Sequence, residues 1–388
     1  MSTILDYIAW RGDLSFDVAP FNEIDALICC EFAYLKLQGI VPDEFTKDGI
    51  ALSQAASAFF AAPDIMERSD MGLLFGEEVV GLFRAMAATR RYGQMRLCGF
   101  VERLDEVREK QFAALTLLLE DGSFFVVFRG TDDSLVGWKE DFNMTFMASV
   151  PSQKEALDYL VAAASHLPGK IRVGGHSKGG NISIYSATFC GRKIQKRIIS
   201  VYNFDGPGFE MDISAMQEFQ AIGGRVRTFV PDHSVVGLLM KHDGDYTVVK
   251  SQETGLMQHN LLSWQLDGPR FMEVEQVADA SAIIDRSVKS WLKNLTVQER
   301  ERFVEALFTV LASSQATSLS ELADNWKRNP AKAMGALLQV DGKTRRMVWK
   351  AFQQLFRATH HEIKLDVKLW LQEKFQAGGA ADSMSPNQ

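Results

Sequence analysis

The chain has 388 residues, 46% hydrophobic and 23% charged, with only 10 prolines, the profile of a globular protein with a sizeable core rather than a disordered or collagen-like chain. Lys and Arg number 42 against 49 Asp and Glu, a net charge of -7, which is the wrong sign for a protein that gains affinity by neutralising phosphates, so nucleic acid is not an expected partner. Four cysteines (Cys29, Cys30, Cys98, Cys190) make neither a disulfide framework nor a zinc spacing and are read as buried thiols of a reducing compartment.

The opening, Met1 to Tyr7, shows no basic segment followed by a small-residue cleavage site. No run reaches about 18 uninterrupted apolar residues, so the expectation is a cytoplasmic protein without a membrane span. Up to about residue 92 the apolar spacing is helical, as in Ile24, Leu27, Ile28 and Phe32, and again from Leu73 to Phe83. The pattern then turns to β in Gln94 to Val101, Phe112 to Leu119 and Phe124 to Phe128, with Asp121-Gly122 as a hairpin turn between the last two. Strands and helices alternate afterwards: strand Ile171 to Val173, helix Asn181 to Phe189, strand Ile198 to Phe204, helix Ile213 to Ile222, strand Val226 to Val230. Such alternation predicts a mostly parallel sheet covered on both faces, an α/β fold.

Beyond residue 280 the strand signals stop. Thr296 with Glu299 and Ser318 with Glu321 are capping-box openings of helices, and Phe303, Leu307, Val310 and Leu311 give one helix an apolar face. A further stripe starts at Met347, Phe352, Leu355 and Phe356. The expected division is 1–280 as the α/β core with its helical lead-in (about 1–92), 281–376 as an all-helical appendage, and 377–388 as a disordered polar tail. The basic helix Lys343 to Lys350 reads as a solvated face, with contact to anionic lipid as the competing reading.

The sharpest local feature is Gly175-His176-Ser177-Lys178-Gly179. A chain of this length contains a G-x-S-x-G string by chance about once in eight cases, so context decides. A strand signal enters the string and a helix signal leaves it, the setting in which a serine sits on a strained turn with its Oγ held out of the sheet. Ser then Lys is the wrong order for a phosphate loop. A serine hydroxyl needs a histidine to take its proton and a carboxylate to orient that imidazole, both downstream. For the acid, Asp232 after the strand ending at Pro231 is preferred, with Asp205 at the end of the preceding strand as its competitor. For the base, His233 adjoins the acid, His242 lies in a polar turn and His360 and His361 fall in the appendage, which leaves His259. His176 is read as packing or hydrogen-bonding near the site. An oxyanion would rest on the backbone N–H of Lys178 and on Thr131, which offers an N–H and a hydroxyl in the loop after Phe128. Trp138 and Asp141 share one turn of a short helix beyond that loop.

Val127-Phe128-Arg129-Gly130-Thr131, Trp138 with Asp141, and Gly175 to Asn181 together resemble the class 3 lipase branch of the α/β-hydrolases. With Leu5-Asp6-Tyr7, Trp10-Arg11-Gly12-Asp13, Gln258-His259 and Ser263-Trp264, the chain is more closely similar to the bacterial Mbeg-like family, lipase-fold proteins of largely unknown function. The resemblance spans roughly residues 5 to 270. It implies an α/β-hydrolase fold, a nucleophile at Ser177, an oxyanion donor at Thr131 and a triad completed by Asp232 and His259. One departure is that lipases commonly carry proline after the valine of the acid loop, whereas Val235-Val236-Gly237 follows Ser234 here.

The function expected is a serine esterase of the lipase type acting on a small-molecule or lipid ester. Its alternatives are an inactive lipase-fold scaffold whose C-terminal helices take a protein partner, and an acyltransferase or thioesterase using the same residues. Phe142 to Met147 is read either as an acyl-pocket or lid segment or as ordinary core. No cofactor or metal is expected: His361-Glu362 lacks a second histidine four positions on.

Overall fold

The structure, a computed structural model, describes residues 2–70, 78–241, 245–278, 294–312, 315–318, 320–322 and 342. The predicted helical stripe from Met347, the basic helix from Lys343, the tail 377–388 and His242, His360 and His361 lie outside the described residues.

Strands β1 (Ile50–Ala51), β2 (Arg96–Asp105), β3 (Lys110–Leu118), β4 (Phe124–Phe128), β5 (Ile171–His176), β6 (Ile198–Phe204), β7 (Val226–Pro231) and β8 (Tyr246–Val249) lie side by side in chain order. Two short strands, β9 (Leu266–Asp267) and β10 (Arg270–Phe271), pair with each other, and β11 (Glu273–Val274) closes the main sheet beside β8. From β1 to β4 the pairing is antiparallel, from β4 to β8 parallel, and β11 runs antiparallel to β8. The result is a mixed sheet, parallel over β4 to β8, with flanking helices, the α/β class expected.

Period-2 alternation along the strands explains why both faces are covered. Leu115, Leu117, Phe125, Val127, Tyr202 and Phe204 point into one apolar core. Phe112, Ala114, Phe124, Val126, Ile171 and Val201 point into the other. The second core is closed by the crossover helices Pro151–His166 and Lys178–Phe189. The first is closed by the N-terminal helices Ile4–Arg11, Glu23–Phe32, Leu52–Phe60 and Glu78–Ala87, so the helical lead-in is one layer of the fold. A buried fork fastens this layer: Arg91 Nε and Nη2 donate to the Asp25 carboxylate at 2.7 and 2.6 Å, and the Tyr92 hydroxyl donates to the same carboxylate at 2.6 Å.

Most predicted elements appear, with informative differences. The β2–β3 ribbon runs to Asp105 and restarts at Lys110, well past the apolar signal that ends at Val101, and its tip is exposed. The expected helix Ile213 to Ile222 shortens to Gln217–Gln220, because the Asp212 carboxylate binds the Ser214 N–H and hydroxyl and competes with helical pairing there. At Thr296 the capping box is formed in full, with the Thr296 N–H donating to the Glu299 carboxylate at 3.0 Å and the Glu299 N–H to the Thr296 hydroxyl at 3.2 Å. The helix Val297–Ala312 that follows buries Phe303, Leu307 and Phe308 against Leu135, Trp138, Phe142 and Phe146. All four cysteines are buried free thiols. Among the described residues no helix is long and apolar enough to cross a membrane.

Candidate active site

The site lies where β5 ends and the helix Lys178–Phe189 begins. Ser177 occupies the turn with φ +56° and ψ −131°, a conformation an L-residue adopts only under strain. Its flanking glycines are required by contact. A Cβ on Gly175 would meet the Phe128 carbonyl oxygen and the Gly179 carbonyl carbon at 2.4 Å, and one on Gly179 would meet the Phe128 oxygen at 2.1 Å. Strand β4 and the elbow can approach this closely only without side chains there. The Ser177 N–H donates to the Phe204 carbonyl at 2.9 Å, which ties the turn to the end of β6.

Directly after Phe204, Asp205 sits at φ +49° with its side chain 1% exposed. Its Oδ2 meets His259 Nδ1 at 2.6 Å, and its Oδ1 accepts the Ser234 hydroxyl at 2.5 Å. Gly237 closes over the same carboxylate: a Cβ at Gly237 would come within 2.0 Å of Asp205 Oδ1. The predicted partner of His259, Asp232, is therefore corrected to Asp205. The reason is the sheet order, since β6 is the neighbour of β5 while Asp232 follows β7, one strand further away. Asp232 is used otherwise: its N–H donates to the Val249 carbonyl at 2.9 Å, its carbonyl accepts the Ala278 N–H at 2.7 Å, and its Oδ1 is buried without a hydrogen-bond partner among the described residues. The loop it opens still serves the site, because the His233 N–H donates to Gln258 Oε1 at 2.8 Å, next to His259.

His259 is delivered by the short 3-10 turn Gly255–His259 and its side chain remains 20% exposed. Its ring centroid is 4.3 Å from that of His176. His176 is fully buried and meets the Tyr34 hydroxyl through Nδ1 at 2.8 Å. Burial pushes its imidazole well below the ordinary histidine range, the neighbouring His259 adds to this, and a backbone hydrogen bond at His259 works the other way. His176 is thus a neutral ring packed against the partly exposed ring of His259. Tyr34 was missed by sequence reasoning, since it follows an apolar helix and reads as core. A Cβ on Gly130 would lie 2.3 Å from the Tyr34 hydroxyl, 2.7 Å from the His176 carbonyl oxygen and 3.0 Å from Ser177 Cβ, so Tyr34, the loop after β4 and the elbow meet at one point.

That loop carries Thr131. Its hydroxyl donates to Asp141 Oδ2 at 2.6 Å, so the hydroxyl proton is committed and the backbone N–H is what Thr131 has to offer. Burial pushes the Asp141 carboxyl up to about 6, against the pull of Lys178 and the Thr131 hydroxyl, while Glu140 and Asp132 reinforce burial. The Lys178 N–H opens its helix, in the turn where N–H groups have no intrahelical acceptor. The Phe142 to Met147 segment packs beneath the C-terminal helix: the Phe142 and Phe308 rings lie 5.7 Å apart, and Arg300 donates to the Thr145 carbonyl at 2.6 Å.

The profile of the Mbeg1-like family matches residues 86–309. Among solved structures, M37 lipase is 16% identical with a TM-score of 0.34, over 56% of this chain and 70% of its own. A fungal lipase–inhibitor complex is 13% identical with a TM-score of 0.30, over 52% and 76%. A Rhizomucor miehei lipase propeptide complex is 13% identical with a TM-score of 0.33, over 55% and 73%. No curated protein matches the chain.

Proposed function

The chain belongs to the Mbeg1-like family, and from that premise and the geometry of its site we propose that it is a serine hydrolase cleaving carboxylic esters through an acyl-enzyme on Ser177. The observation that carries the proposal is the strained backbone of Ser177 at the strand–helix turn, beside a His259–Asp205 pair. Strain of this kind in a non-glycine residue persists only where the surroundings impose it, and at a G-x-S-x-G turn it serves to lift a nucleophile clear of the sheet.

The His259–Asp205 hydrogen bond supports a general-base route. Because Asp205 engages His259 Nδ1, Nε2 is the nitrogen that takes the Ser177 proton as Oγ attacks the ester carbonyl carbon. The tetrahedral oxyanion rests on the N–H groups of Thr131 and Lys178. Imidazolium then returns the proton to the departing alcohol, the C–O bond breaks and Ser177 is left acylated. Water attacks the acyl carbon with His259 as base, releasing the carboxylic acid and restoring the serine. Asp205 holds the ring in its working tautomer and steadies the transient positive charge.

A fluorophosphonate probe tests this directly. Wild-type protein is expected to be labelled and to hydrolyse p-nitrophenyl acetate, and Ser177→Ala to do neither. Absence of Ser177-dependent labelling in folded wild-type protein overturns the hydrolase reading in favour of a scaffold role.

A further inference from the structure

We propose that the buried ammonium of Lys178 is a positioning residue for the oxyanion hole, tying the nucleophile's helix to the loop that carries Thr131. The inference rests on the serine-hydrolase reading and deepens it.

The side chain of Lys178 is 1% exposed. Its Nζ donates to the Gln111 carbonyl at 2.9 Å, to Gln111 Oε1 at 2.6 Å and to Glu140 Oε2 at 3.1 Å, and it lies 3.9 Å from Asp141 Oδ1. Helix propensity does not explain a lysine here. A cation in the first turn faces the positive end of the helix dipole, and desolvating an ammonium is costly where an apolar side chain would fill the same space. What the lysine achieves is a junction. Strand β3 (through Gln111), the helix Leu135–Asn143 (through Glu140 and Asp141) and the elbow converge on one nitrogen.

The junction leads to the chemistry by one more bond. Asp141 turns one oxygen toward Lys178 and accepts the Thr131 hydroxyl on the other at 2.6 Å. Glu140 is itself anchored, accepting the Gln111 N–H at 3.0 Å and the Ser152 N–H at 2.7 Å. Lys178 therefore supplies one oxyanion donor from its backbone and orients the other, the Thr131 N–H, through its side chain and Asp141. Preorganised donors are what a site needs to favour the tetrahedral oxyanion over the flat ester.

The test compares wild type with Lys178→Met/Glu140→Gln, which removes both buried charges together. The readouts are kcat and KM for p-nitrophenyl acetate, Ki for a trifluoromethyl ketone, whose serine adduct carries the oxyanion, and the thermal midpoint. Expected are a loss in kcat of the order of 10- to 100-fold with little change in KM, a parallel weakening of the ketone, and a cooperative unfolding transition. A kcat and Ki within about twofold of wild type, smaller than the loss of any oxyanion donor, overturn the proposal. If the double variant does not fold, Asp141→Asn, which keeps the Lys178–Glu140 pair, is measured in the same way: a parallel loss in kcat and ketone affinity supports the proposal and wild-type values overturn it. Wild-type protein that fails to react with fluorophosphonate removes the hydrolase reading and this inference with it, whereas a reactive wild type with an unperturbed variant removes this inference alone.

Discussion

Replacing Asp205 with Asn is the perturbation that separates the two carboxylates competing for the role of acid. The amide keeps the volume and an acceptor for Ser234, but deletes the charge that faces His259 Nδ1 at 2.6 Å. When His259 carries the Ser177 proton, its delocalised charge and the carboxylate sit about 4 Å apart, an attraction of about 4 kcal/mol at an effective dielectric near 20. The Asp205 side chain is 1% exposed, so water does not screen this attraction away. At about 1.36 kcal/mol per decade that is roughly three decades in rate. An amide can also turn its NH2 toward the ring and stabilise the wrong tautomer, which brings the expected loss in kcat to the order of 10⁴-fold. Steady-state hydrolysis of p-nitrophenyl acetate measures it, with circular dichroism to verify folding. Asp232→Asn is expected to leave kcat within about threefold, the scale of substitutions that touch no critical feature. The assignment is refuted by an Asp205 variant within tenfold of wild type, or by an Asp232 variant that loses as much.

Tyr34→Phe removes the hydroxyl that meets His176 Nδ1 in a buried setting; a loss of about 1–3 kcal/mol in stability is expected from calorimetry, together with a fall in kcat as the ring behind His259 loosens, and an unchanged thermal midpoint would contradict the contact. Asp25→Ala strands the fully buried Arg91 guanidinium, which is expected to destabilise the fold by about 3–5 kcal/mol in denaturant titration; a loss below about 1 kcal/mol, the ceiling for a typical surface pair, would show that the fork does not hold the helical layer. Burial pushes the Glu31 carboxyl up to about 8, Glu78 adding to the effect. Because this lies above an unfolded value of about 4.3, the stability it confers is complete below about pH 4.3 and is lost as pH rises through about 8, by roughly 3–5 kcal/mol. Glu31→Gln should flatten the decline in thermal midpoint between those limits, and parallel declines in both proteins would refute it.

The elbow was legible because its requirements are local: glycines where β4 touches the turn, an apolar strand before it and a helix after it. The pairing of His259 with Asp205 was not, because Asp205 and Asp232 both follow parallel strands and both open polar turns. Only the side-by-side order of β5, β6 and β7 and the path of the Gly255–His259 turn distinguish them. One signal was present in Asp205-Gly206-Pro207-Gly208, a turn compact enough to press against the elbow: a Cβ at Gly206 would lie 2.5 Å from the Ser177 carbonyl oxygen. The burial of the Lys178 side chain has no local sequence signal, because Gln111 and Glu140, which hold its ammonium, come from distant elements. The helix Pro151–His166 gives a weak periodic signal because its buried face mixes the small Ala156, Ala163 and Ala164 with the polar Ser152 and Gln153.

The sequence patterning places a boundary at 280, where strand signals stop, yet the helix Val297–Ala312 lays Phe303, Leu307 and Phe308 on Leu135, Trp138 and Phe142. Those residues belong to the helix that also carries Glu140 and Asp141, so one face of it meets the C-terminal helix while its acidic side meets Lys178. Polar contacts reinforce the apolar ones: Arg300 bridges the Thr145 carbonyl and the Glu210 carboxylate at 2.6 and 2.8 Å, and the Leu135 N–H donates to the Thr317 carbonyl at 2.9 Å. The family match, which runs to residue 309, crosses the same boundary. A helix read from sequence as an appendage thus forms the outer wall of the segment that positions Thr131, and the N-terminal helices, through Tyr34, form the wall behind His259. Catalysis by the proposed route would depend on these helices as well as on the sheet, because the sheet presents the nucleophile but the helices hold the groups that make a serine at that turn reactive.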